Sequence, residues 1–251
     1  MSPFSDRMVA ASALAAGFVG WWLVARAAGP LLLPTPMDVA TALVESRAKL
    51  GEAMLQTGLA ALVGLGAAAF FGVLAAVGGF ASRGLRAALI PYTVFLQVVP
   101  IVAIAPLLVV WLGYGRSVAI VTAAVAAFYP VFSAATTGLV SASQDWVDLF
   151  RLYGASRWRE LYSLRLVAAL PSLFAGLRTS GGLAVIGAIV GEFVGSNGSP
   201  PTLGYLVVFS ARSAELGLCF AAVAASGALA LVFLAVLAAA ERRVVGRWFG
   251  A

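Results

Sequence analysis

Residues 143–171 read SQDWVDLFRLYGASRWRELYSLRLVAALP, the longest polar interruption in a chain that is otherwise mostly one apolar segment after another. Trp146, Leu149, Phe150 and Tyr153 stand at i, i+3, i+4 and i+7, which puts four large apolar groups on one helical face. Asp145, Asp148 and Arg151 lie off that stripe. Ser143 or Asp145 can cap the helix start, with acids in the first turn where the helix dipole favours them. Gly154 is placed to end the helix, because helices commonly stop on a residue that tolerates positive φ. Ser156 can then cap a second, basic helix carrying Arg157, Trp158, Arg159 and Arg165, and Pro171 opens the next apolar span. The stretch reads as helix–glycine–helix, apolar on one side and flanked by membrane spans, a shape suited to being gripped by a partner. The plainer reading is an amphipathic loop lying on the membrane surface.

Outward from this loop, composition sets the class. Of 251 residues, 62% are hydrophobic and only 10% charged, with a mean hydropathy of +1.02; a soluble domain carries about 25% charged residues. The expectation is an all-α, polytopic membrane protein in which one membrane domain accounts for residues 1–251. The chain has no histidine, which removes the commonest general base and metal ligand, and its lone Cys219 excludes an internal disulfide or a cysteine metal cluster. The net charge of +6 is scattered between apolar segments rather than gathered in a run, which argues against nucleic acid.

Six spans are expected, at about 8–28, 55–80, 87–112, 117–139, 172–195 and 216–240, with the 143–171 loop between the fourth and fifth. Trp21 and Trp22 favour a retained first helix over a cleaved signal segment. Pro30 to Met54 is polar, and Asn197 to Ser210, with Pro200 and Pro201, is expected as an external loop. Gly187, Gly191 and Gly195 recur every four residues in the fifth span and suit close helix packing. The third span is interrupted by Pro91, Pro100 and Pro106. Proline at membrane depth frees carbonyls that protein or a wet cavity must satisfy, so the break expected at Pro100 and Pro106 points to a transport pathway or to a packing kink. Gln97, Tyr129, Ser180 and Glu192 are the candidate polar lining groups. Glu192 serves equally well as a structural, hydrogen-bonding acid.

Six spans put both termini on one side. With the termini inside, the inner segments hold Arg7, Arg83, Arg86, Arg151, Arg157, Arg159, Arg165, Arg178, Arg242, Arg243 and Arg247, eleven in all, against Arg26, Arg47, Lys49, Arg116 and Arg212 outside, which are five. That asymmetry predicts cytoplasmic termini and a cytoplasmic 143–171 loop.

The spacing Asp148-Leu149-Phe150-x-x-x-Gly154-Ala155-Ser156-Arg157-Trp158, followed by Ala168-Ala169-Leu170-Pro171, resembles the Glu-Ala-Ala loop of bacterial ABC importer permeases. The nearest branch is the nitrate/sulfonate/taurine type, with pyrimidine-precursor and riboflavin permeases among its relatives. LLLPTPMDVATALV and QVVPIVAIAPLLVVWLGYG resemble that family's short external helix and its Gln-x-x-Pro-x-x-Ala-x-x-Pro-Leu run. Asp-Leu-Phe stands where Glu-Ala-Ala is usual, and Val167 occupies the place of the first of two prolines. The resemblance implies a type I ABC importer permease fold. It implies a permease subunit, paired with a second copy or a paralogue, that forms the pathway for a small solute brought by an external binding protein. That solute would be a sulfonate-, nitrate- or taurine-like anion, or a pyrimidine or vitamin precursor. In the family this loop docks into a groove on a cytoplasmic ATPase. The carried-over coupling residues are Trp146, Asp148, Leu149, Phe150, Arg151, Tyr153, Gly154, Ala155, Ser156, Arg157 and Pro171, in a bacterial inner membrane.

The chain carries no glycine-rich phosphate loop followed by lysine, its only lysine being Lys49, and no nucleophile–base pair built on histidine. It is therefore not expected to be an enzyme or to bind a cofactor; ATP and magnesium would sit on the partner ATPase. The competing class is a secondary transporter or channel, which usually carries several paired ionisable groups in its spans. Here Glu192 is the only acid placed in one. An intramembrane enzyme lacks candidate residues.

Overall fold

The computed structural model describes residues 3–29 and 32–249. Among these, every regular element is helical: α1 (Pro3–Ala28), α2 (Pro36–Glu45), α3 (Arg47–Ala81), α4 (Arg83–Val98), α5 (Ile101–Leu112), α6 (Arg116–Leu139), α7 (Gln144–Leu152), α8 (Arg157–Glu160), a π-helical turn (Leu161–Arg165), α9 (Leu166–Ala168), α10 (Leu170–Gly195), α11 (Leu203–Arg212) and α12 (Leu216–Phe249). α3, α6, α10 and α12 are each long and apolar enough to cross a membrane. The apolar part of α1 covers Ser12–Ala28.

α6 is the central rod, packed between α3 and α10. The contact depends on small residues, because in lipid it is close backbone approach rather than water exclusion that holds helices together. A Cβ added at Gly187 would lie 2.7 Å from the Thr122 carbonyl oxygen, and one at Gly195 would lie 2.8 Å from Val118 Cβ. The glycine stripe of α10 therefore faces α6. The buried alanines Ala119, Ala123 and Ala127 of α6 join Ala60, Ala61, Leu65 and Ala68 of α3 and Ala184, Val185 and Ala188 of α10 in one core. α12 closes this core with Leu218, Ala221, Ala222, Ala225 and Leu229. α1 docks on α12 by stacking Trp21 on Phe220, with ring centroids 6.3 Å apart.

Two expectations are corrected. Residues 87–112 are broken at Pro100 but not at Pro106, which lies inside a helix. They form two helices, α4 and α5, that meet at 101°. The bend is at Val99–Pro100 alone: a residue before proline avoids the α region, and Val99 takes φ −65°, ψ 124°. Pro100, itself extended at ψ 117°, starts α5, while Pro91 and Pro106 sit inside their helices. The second correction concerns residues 197–210, expected as a loop. Its latter part is helix α11, with Leu203, Gly204, Leu206 and Ser210 buried.

α2 begins with a capping box: Thr35 Oγ1 accepts from the Asp38 backbone N–H at 3.3 Å, and Asp38 Oδ2 accepts from the Thr35 N–H at 2.8 Å. These bonds hold the exposed Asp38 carboxyl below its usual pKa.

Candidate functional site

The 143–171 loop is built from local signals. α7 ends in a Schellman motif: the Ala155 N–H reaches back to the Phe150 carbonyl and the Gly154 N–H to that of Arg151, both at 3.0 Å. Gly154 carries φ +68°, which glycine adopts without strain. Ser156 then caps α8, its Oγ accepting the Arg159 N–H at 3.3 Å. At the start of α7, Ser143 takes the cap position but its side chain makes no capping bond, and Asp145 lies in the first turn.

The face that α7 turns inward is centred on Val147, which is fully buried. Trp146 is 57% exposed, Leu149 38% and Tyr153 85%, and Leu152 joins them at 85%; Phe150 is half-buried. Three members of the sequence-predicted stripe thus face outward together, and the fourth turns partly in. Asp148 and Arg151 lie 3.8 Å apart on the surface.

The second half of the loop is bolted to the bundle. Leu161 and Ala169 are buried with Ala76 of α3 and Phe132, Ala135 and Leu139 of α6 in a separate apolar cluster. Arg165 pairs with Glu160 through two bonds of 2.6 Å and donates at 3.1 Å to the Leu139 carbonyl, an otherwise open acceptor at the end of α6. Its guanidinium also lies 4.7 Å from the centre of the Phe80 ring. Pro171 stands in the first turn of α10, where its missing N–H costs nothing.

Beside the bend of α4 and α5 is a cleft of about 810 Å³ between those helices, α6 and α10. Gln97 and Tyr129 both line it, with Ser133 and Thr137 of α6 and Ser172 and Thr179 of α10. Tyr129, Ser133 and Thr137 recur every four residues, a polar stripe visible in the sequence but not recognised there. Pro100 makes the bend between two lining residues, Val99 and Ile101. Pro106 is not part of the lining. Ser180 is fully buried and donates to the Ala127 carbonyl at 3.0 Å, holding α10 to α6 behind the cleft wall.

Glu192 lies away from this cleft, at the start of α11. Its Oε2 accepts the Gly204 N–H at 2.9 Å and the Thr57 hydroxyl at 3.0 Å. Thr57 Oγ1 in turn accepts the Leu203 N–H at 3.0 Å, and Thr202 accepts that of Tyr205 at 3.3 Å. Three successive N–H groups at the helix start are thereby satisfied. Glu192 Oε1 is buried with no partner among the described residues, and the side chain borders a cavity of about 50 Å³ with Arg116 and Asn197, room for a water or a few.

Residues 68–246 match the family model for the binding-protein-dependent transport system inner membrane component. A probable ABC transporter permease protein of Haemophilus influenzae is 38% identical over 191 residues, which is 76% of this chain and 77% of the relative. The formylaminopyrimidine transport permease protein ThiX of Halalkalibacterium halodurans is 33% identical over 70% of this chain and 72% of its own. The taurine transport system permease protein TauC of Escherichia coli is 29% identical over 92% of this chain and 86% of its own.

Proposed function

This chain belongs to the binding-protein-dependent transport system inner membrane component family, and from that premise we propose how its geometry serves transport. It is a multi-pass permease subunit of an ABC importer, a family that works with an ATPase and a substrate-binding protein. In the reading proposed here, ATP and magnesium bind a separate ATPase subunit, and a groove on that subunit covers Trp146, Leu149, Leu152 and Tyr153. Two copies of the chain enclose the pathway, with both termini and the 143–171 loop on the cytoplasmic side.

One observation supports the coupling role: the chain that leaves the apolar α7 through the Gly154 turn continues helically into the cleft wall and is tied to α6. From Arg157 the chain runs helically through the π turn into α10, whose Ser172 and Thr179 line the cleft. The Arg165–Leu139 bond and the Leu161/Ala169 cluster tie the same segment to α6. A displacement that reaches the segment from Arg157 onward would pass as rigid-body motion to the helices around the cleft, because a packed core moves between discrete arrangements rather than deforming continuously.

The substrate we propose is a small heterocycle of the pyrimidine or vitamin-precursor class. The cleft offers hydroxyl groups and the Gln97 amide, and none of its lining side chains bears a formal charge. Such a surface suits hydrogen bonding to a neutral ring better than pairing with a sulfonate. A taurine-like anion is the second reading, favoured by the likeness to TauC over 92% of this chain. Uptake of labelled formylaminopyrimidine and of taurine, in cells expressing the permease with its ATPase and binding protein, separates the two. Failure of a tagged permease to retain any ATPase on purification would overturn the coupling role itself.

A further inference from the structure

A second, smaller cavity of about 350 Å³ lies beneath the loop, where the end of α3 meets α8. Its walls carry three guanidinium groups, Arg151, Arg157 and Arg165, and one carboxylate, Glu160, with Phe80 and Trp158 as apolar sides. Arg165 is fully engaged by Glu160, the Leu139 carbonyl and the Phe80 ring. Glu160 is thereby neutralised. Arg157 is exposed and makes no ion pair within 4 Å among the described residues, and Arg151, 60% exposed, has only loose neighbours, Asp148 at 3.8 Å and Glu160 at 3.9 Å. The cavity therefore presents two unspent guanidiniums, whose planar forks match phosphate oxygens.

Its position selects the source of the phosphate. Phe80 and Ala81 are the last residues of a membrane-spanning helix. Beside them Trp158 and Tyr162 stack at 6.2 Å, with 60% and 63% of their surface exposed. Exposed aromatic pairs beside basic residues at the end of a span mark headgroup depth. We propose that this cavity seats the phosphodiester headgroup of an anionic phospholipid, with Arg151 and Arg157 as its ligands and Trp158 and Tyr162 against the glycerol region. A bound headgroup would brace the loop from the membrane side, opposite the apolar face offered to the ATPase. The inference rests on the membrane-permease reading, but its test uses neither ATP hydrolysis nor transport, so it can fail while the coupling role stands.

The purified chain is placed in nanodiscs of phosphatidylcholine, alone or mixed with phosphatidylglycerol, and lipids retained on release are counted by native mass spectrometry. The expected result is a preference for phosphatidylglycerol of about tenfold or more, the order given by two basic contacts near a headgroup. The double variant R151Q/R157Q loses that preference. R151K/R157K, which keeps the charge and loses the fork, keeps part of it, which separates charge from misfolding, and Arg212→Gln keeps all of it. Absence of a preference in the unmodified chain, or its persistence in R151Q/R157Q, overturns the proposal. Displacement of the lipid by millimolar inorganic phosphate assigns the cavity to the free anion instead. If lipid preference is absent but R151Q/R157Q releases the ATPase, the cavity takes a carboxylate from that partner, and the lipid assignment is again overturned.

Discussion

Thr57 and Glu192, 135 positions apart, share one hydrogen bond of 3.0 Å, and each also receives a backbone N–H from the start of α11. Three helices thus meet at one buried polar node. We predict that Glu192→Gln, which keeps an acceptor for Gly204, changes stability little and leaves uptake kinetics intact. Glu192→Ala strands the Gly204 N–H and costs about 1–3 kcal/mol, read as a lowered unfolding temperature in detergent. Lost uptake in Glu192→Gln at unchanged stability would show that the acid takes part in transport.

Gly154→Val is expected to leave the permease in the membrane at near-normal abundance. Nothing lies within 4 Å of a Cβ added there, so the penalty is conformational alone, about 1–2 kcal/mol for holding a β-branched residue at positive φ. Uptake fails, through loss of the ATPase or of its connection to the pathway. Gly154→Asn retains function, since asparagine tolerates that backbone region. Full uptake by Gly154→Val with the ATPase still bound would refute the coupling role.

The cleft is tested by access. In a Cys219→Ala background, single cysteines at Gln97, Ser133 and Thr137 are expected to react with a small polar thiol reagent, and substrate protects them. Cysteine at Ser180, fully buried against α6, stays unreactive. Equal reactivity at all four positions removes the distinction between cleft wall and core.

Close approach of α10 to α6 predicts opposite results at two neighbouring glycines. Gly187→Val drives a side chain into the Thr122 backbone and costs about 1–3 kcal/mol or more. Gly182→Ala meets nothing within 4 Å and is neutral or stabilising. Unfolding temperatures of the two variants decide.

Orientation is tested with Ser82→Cys and Ser199→Cys. An impermeant reagent applied to intact cells is expected to label position 199 and to spare position 82. Labelling of position 82 reverses the cytoplasmic assignment of the loop.

What was readable in the chain was local. Gly154, Ser156 and Pro171 act through their own backbone, so the turn, the cap and the start of α10 follow from residue chemistry. Three prolines in 87–112 could not be ranked that way. Pro91 and Pro106 stay inside helices, and only Pro100 turns the chain. α11 was missed because two of the acceptors at its start, Thr57 and Glu192, come from distant helices. The inward turn of Val147 likewise reflects how α7 rests on the bundle, which periodicity alone does not encode. The Tyr129, Ser133, Thr137 stripe was legible and needed only a count of polar residues at helical spacing.

The π turn after α8 carries a consequence of its own. The Leu166 N–H bonds to the Leu161 carbonyl, five residues back instead of four, so this turn holds one residue more than its neighbours. One residue is worth about 100° of rotation around a helix axis. The extra residue therefore sets the azimuth at which α7 shows Trp146, Leu149 and Tyr153 to the world outside the bundle. Deleting one residue between Leu161 and Arg165 would re-thread the helix like a screw advanced by a fraction of a turn. Charge and every span would stay as they are, yet the apolar face would swing by more than a quarter circle. A chimera that grafts this loop onto another permease must then be cut on the loop side of Leu161. Cut beyond it, the graft imports the donor's phase along with its contacts.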